Sequence, residues 1–154
     1  MSNPKPLRPR GRAHRGRGQA LTEFALVVPI FLLVLSGIFD FGFLLYSRMT
    51  VINSAREAAH AAAIAPDRTT IPALAPQRAQ SAAAGAGLTL NTAQVSVTCV
   101  AIASLPSSCS FANATSSKAG DAVSVRVTYS YASIFPLLFG QTFDLSSTVQ
   151  MVLE

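Results

Sequence analysis

Two carboxylates stand where carboxylates are expensive. Glu23 opens, and Asp40 nearly closes, the otherwise apolar stretch GQALTEFALVVPIFLLVLSGIFDFGFLLY, Gly18 to Tyr46. Phe24 to Phe39 is apolar except for Ser36. An ionisable side chain in such a run demands a donor or a counter-charge. For Asp40, near the end of the run, water is the alternative partner. Other reactive side chains are sparse. His14 and His60 are the two histidines, and neither has a nucleophile and an orienting acid beside it. Arg56 and Glu57 are adjacent, so on a helix they do not face each other. There is no nucleophile triad, no glycine-rich phosphate loop and no carboxylate pair with a task, so no enzymatic chemistry is expected. The two cysteines, Cys99 and Cys109, fall short of the roughly four ligands of a zinc site. No metal and no other cofactor is expected. An even number of cysteines in an oxidising compartment suggests a disulfide; two free thiols are the alternative.

The element that positions both carboxylates is the apolar run itself. About 20 apolar residues cross a bilayer core as a helix, and along one lone segment only a helix satisfies its own backbone in lipid. Residues 19–46 are therefore read as a transmembrane helix, with Pro29 tolerated inside it. The apolar part exceeds the ~7–15 residues of a cleaved signal peptide, and the first run of small residues, Ala58 to Ala63, lies well past Tyr46. The segment is expected to be retained.

Residues 1–18 carry Lys5, Arg8, Arg10, Arg12, Arg15 and Arg17 with no acid and no aromatic, while all seven acidic residues of the chain come later. The formal net charge of +5 is thus a property of a tail. Basic residues beside a first helix hold that end in the cytoplasm, so 1–18 reads as a basic cytoplasmic leader. Met1 to Arg17 is expected to be disordered. It has no adjacent arginine pair, so a twin-arginine export signal is not supported. Nucleic-acid binding needs basic residues on a structured face or beside stacking aromatics, and is not expected.

Residues 47–65, SRMTVINSAREAAHAAAIA after Tyr46, continue at helical period. Leu45, Met49, Ile52, Ala55, Ala59 and Ala62 recur every three or four positions, which predicts an extracytoplasmic extension with an apolar stripe. Pro66 ends it. Residues 66–91 form a linker with a short helix, Pro76 to Ala84, that stops at Gly85. Residues 92–154 change to period two and form a small β-sheet domain. Val95, Val97 and Cys99 share a face. Val123, Val125, Val127, Tyr129 and Tyr131 share another, opposite Ser124, Arg126, Thr128 and Ser130. Ile134 to Gly140 is an apolar turn, and Phe143 to Leu153 a last strand. An antiparallel sheet with one apolar face must be covered, and the outer half of the long helix is the natural cover. The fold class is α+β: a long N-terminal transmembrane helix extending into a small antiparallel sheet domain.

This plan is pilin-like, and the junction sharpens it. Arg17-Gly18-Gln19-Ala20-Leu21-Thr22-Glu23-Phe24 resembles a prepilin peptidase site, in which the leader ends in glycine and an acid stands fifth in the mature chain. Phe24 after the acid resembles the Flp subclass of pilins. Gly37-Ile38-Phe39-Asp40-Phe41-Gly42 and Asn53-Ser54-Ala55-Arg56-Glu57-Ala58-Ala59 resemble the two patterns of TadE-like proteins, minor pilins or pseudopilins of the tight-adherence (Flp) pilus system. The chain's last stretch, Ser147 to Glu154, is loosely similar to that family's final strand.

The resemblance implies a processing site between Gly18 and Gln19, with Glu23, Phe24 and Asp40 serving assembly. It implies as partners the membrane, a prepilin peptidase, other pilin or pseudopilin subunits and the pilus assembly platform. Cleavage would leave an α-amine on Gln19 for the Glu23 carboxylate of a neighbour to complement. The plain alternative for Glu23 is a place in the first helical turn, where the macrodipole favours an acid. The location implied is the cytoplasmic membrane, single-pass, with the C-terminal domain extracytoplasmic, or a surface pilus. The competing function is an uncleaved signal-anchored protein displaying a small β-rich binding domain.

Overall fold

The computed structural model describes residues 15–102, 109–112, 117–136, 140 and 142–154. Its elements are α1 (Arg15–Ala63), a 3-10 turn (Arg68–Thr70), α2 (Ile71–Gly85), a second 3-10 turn (Thr92–Gln94), then β1 (Val95–Val100), β2 (Ala122–Ala132) and β3 (Thr142–Val152). The fold is α+β: a long apolar N-terminal helix followed by a small three-stranded antiparallel sheet. The chain divides into two compact units, Met1–Ile38 and Phe39–Glu154, each described by itself.

In the first unit, α1 presents its large side chains outward. Leu21, Phe24, Leu26, Ile30 and Phe31 are all exposed, and Pro29 lies inside the helix. Among the described residues, α1 from Gly18 is the one helix long and apolar enough to cross a membrane. The helix already includes Arg15 to Arg17, which the composition of the leader predicted as disordered. Arginine is a good helix former, and extending an existing helix by a residue avoids the cost of nucleation. The rest of the leader lies outside the described residues.

In the second unit β2 is the central strand. Val125 pairs with Val97 of β1 and with Val149 of β3. Val123, Val125 and Val127 are fully buried, whereas Arg126 and Ser130 are exposed, so the period-two reading holds from Val125 onward; Ser124, expected on the outward face, is buried as well. Val51, Ala55, Ala58, Ala59 and Ala62 of α1 join these valines in one core, together with Ile71, Ala75, Ala79 and Ala83 of α2. Dimensions explain the fit. From Asp40 to Ala63, α1 rises about 35 Å at ~1.5 Å per residue. A strand the length of β2 spans roughly 33–36 Å at ~3.3 Å per residue. Both ends of this packing are fastened. Asp40 takes donors from Tyr131, Ser133 and Ile134, and the Glu154 amide donates to the Ala63 carbonyl at 3.3 Å.

Only the later part of the apolar stripe of α1 is the one its period suggested: Ala55, Ala59 and Ala62 are fully buried. Met49 is 65% exposed and Leu45 is also exposed, while Ser47, Thr50 and Ser54 face inward beside Val51 and Ala55. The hydroxyls of Thr50 and Ser54 donate to the carbonyls of Tyr46 and Thr50 at 3.1 and 2.6 Å. Each is therefore satisfied within the helix and can be buried at little cost. The second helix is longer than expected, with Pro72 rather than Pro76 in its first turn. Its stop is Gly87, not Gly85. Gly87 has φ of +73°, its amide donates to Ala84, and the Leu88 amide donates to Ala83, both at 2.9 Å. That is the Schellman arrangement, which needs a left-handed residue after the cap.

Candidate processing and assembly site

The junction residues lie on an uninterrupted stretch of α1. Gly18, Gln19 and Glu23 are exposed, and Phe24 is 70% exposed. Gln19 Nε2 donates to Glu23 Oε1 at 3.3 Å, one helical turn away, and the Thr22 hydroxyl donates to the Gln19 carbonyl at 2.7 Å. A Cβ built on Gly18 meets no atom within 4 Å. Glycine costs about 1 kcal/mol in a helix interior, and nothing in the fold asks for it at this position. Glu23 is not in the first turn of α1, which contains no acid. The macrodipole acts within the first turn, so in the unprocessed chain it gives Glu23 no role.

Asp40 is organised differently. It is only 5% exposed. Its Oδ1 accepts from the Tyr131 hydroxyl at 2.6 Å and from the Ile134 amide at 3.2 Å. Its Oδ2 accepts from the Ser133 hydroxyl. The Ser133 oxygen in turn accepts the Phe135 amide at 3.2 Å. A buried carboxylate is tolerable when it receives several donors. Burial, and then the hydrogen bond to Asp40, push the Tyr131 phenol up to about 12. Asp40 therefore holds the first turns of the second unit to the connection between β2 and β3.

Cys99 and Cys109 are joined as a disulfide, with Cα atoms 5.5 Å apart. It fastens the segment after β1 to that strand. Three further anchors had no signal in the sequence. Asp121, fully buried, accepts from the amides of Ile102 and Lys118, both at 2.9 Å. Arg68 donates to the carbonyls of Ser117 and Glu154 at 2.7 and 2.9 Å. The Tyr46 hydroxyl donates to the Ala86 carbonyl at 2.7 Å, tying α2 to α1. Tyr131 and Ser133 stand two apart, as same-face strand residues do, but their separation from Asp40 by about ninety positions hid the pairing. Among the described residues, no cluster of His, Cys, Asp and Glu is placed to hold a metal ion.

Residues 18–60 match the family model of TadE-like proteins. The match starts at Gly18 and contains Glu23, Asp40 and both patterns on which the resemblance rested, and over this stretch the chain is similar to TadE-like proteins. TadE-like proteins are associated with the tight-adherence pilus. No curated protein and no solved structure matches the chain.

Proposed function

We propose that this chain is a minor pilin or pseudopilin of a tight-adherence pilus. It is made with a basic leader and cut by a prepilin peptidase between Gly18 and Gln19. The observation that carries the reading is the family match beginning at Gly18, a glycine for which the fold has no use. A peptidase must bring its backbone against the scissile bond, and a residue without Cβ permits that approach. The mature helix, with Phe24 and its apolar neighbours outward, packs against helices of other subunits. Glu23 complements the new α-amine of a neighbour. In lipid a lone charge of either sign is costly, and a pair is less so.

The experiment is co-purification of Glu23 variants with partner subunits from membranes. Glu23→Ala is cut normally but recovers little partner, and Glu23→Asp, whose carboxylate reaches less far, falls between. Full association of the alanine variant would remove the pairing role.

A further inference from the structure

We infer that the first turn of α1 must unwind before the chain is processed, and that Arg15 and Arg17 are the residues that keep it ready to do so. The inference rests on the reading of Gly18–Gln19 as the processing site. In the fold this bond is wound into α1, which begins at Arg15. In helical geometry the Gln19 amide donates to the Arg15 carbonyl, and the Gly18 carbonyl accepts from the Thr22 amide. Hydrolysis adds water to the Gly18 carbonyl carbon and breaks its bond to nitrogen, leaving a carboxylic acid on Gly18 and an amine on Gln19. The transition state needs the Gly18 oxygen free to take donors from the peptidase. While the turn is wound, the chain's own Thr22 amide holds that oxygen.

The residues on the two sides of the bond differ in the way this requires. Arg15 and Arg17 stand at the start of α1, whose first turn contains no acid. A helix N-terminus already carries partial positive charge, so each cation there favours opening, by about two- to fivefold. Gly18 is a weak helix former and adds to the effect. Past the bond the helix is tied by side chains. The Thr22 hydroxyl donates to the Gln19 carbonyl at 2.7 Å, and Gln19 Nε2 donates to Glu23 Oε1 at 3.3 Å. Freeing the Gly18 carbonyl breaks neither tie, so the leader side can open while α1 from Gln19 onward keeps its start.

The test is Arg15→Gln together with Arg17→Gln, in the full chain in detergent. Glutamine matches arginine in helix propensity, so the pair changes charge alone. Hydrogen exchange at the Gln19 amide, read by mass spectrometry without peptidase, and kcat/KM for cleavage by a prepilin peptidase should both fall, roughly three- to thirtyfold. Arg8→Gln together with Arg10→Gln removes the same charge before Arg15 in the sequence, and should change neither. Normal cleavage of the first pair overturns the inference. An equal loss of cleavage in the second pair also overturns it, because the peptidase then reads the leader's charge directly. Slower cleavage of the first pair with unchanged exchange does the same, since opening is then not the step affected. A wild-type chain that the peptidase leaves whole removes the processing reading and the inference with it.

Discussion

Asp40 and Tyr131 carry the most specific chemistry in the second unit, and the tyrosine is the better handle. Its phenol is raised to about 12 by burial and by Asp40, against about 10 when free. The folded state thus favours the protonated phenol. The stability this brings is complete below pH ~10 and is lost as pH climbs toward about 12. In an absorbance titration of the chain, the step near pH 12 should vanish in Tyr131→Phe. The same variant should lose about 1.5–3 kcal/mol at neutral pH, the worth of a hydrogen bond to a charged group, read by urea unfolding. Asp40→Ala should cost more, since it strands the Tyr131 and Ser133 hydroxyls together. Gly18 is the contrasting case. Gly18→Leu has room in the fold, so it should leave helicity intact, seen by circular dichroism, yet block processing. The sequence marked Asp40 as a carboxylate that needs either a partner or water, because it stands near the end of an apolar run. It could not supply the partner, because the donors lie in another element far along the chain. In the unprocessed chain Glu23 lies outside the first turn offered for it, for a related reason: α1 begins at Arg15, before the point at which composition suggested order.

Elements with a clean period were legible, and those that rely on self-satisfied polar groups were not. The valines of β2 alternate, and their burial follows. In α1 the buried face contains Ser47, Thr50 and Ser54, which a count of apolar residues passes over. Turn chemistry gives a direct test. Gly87 holds φ at +73°, a conformation that costs a residue with a Cβ about 1–2 kcal/mol. Gly87→Ala should therefore lower the midpoint of thermal unfolding, whereas Gly85→Ala, with helical geometry and open space, should not. The Cys99–Cys109 bond, ten residues apart in sequence, is worth about 2.5–3 kcal/mol in the chain-entropy model. Cys99→Ser together with Cys109→Ser should show that loss in denaturant unfolding.

At the scale of the whole molecule, the tail and the apolar helix are the features from which a topology is predicted. Lys5, Arg8, Arg10, Arg12, Arg15 and Arg17 precede the span candidate, and positive residues stay inside. A reporter fused after Glu154 should accordingly be active only in a form that works outside the cytoplasm. The order of helix, then sheet, was readable because each has its own hydrophobic period. The seating of one on the other was not, because it depends on Asp40, on the Ala63 carbonyl and on the length match between α1 and β2. The central claim is that this chain is processed at Gly18 before it assembles. The most direct measurement is the N-terminal sequence of the protein extracted from membranes of cells that contain a prepilin peptidase. The account predicts a chain beginning at Gln19, and a full-length precursor for Gly18→Leu. A membrane-extracted wild-type chain that still begins at Met1 or Ser2 would contradict it and leave an uncleaved, signal-anchored protein in its place.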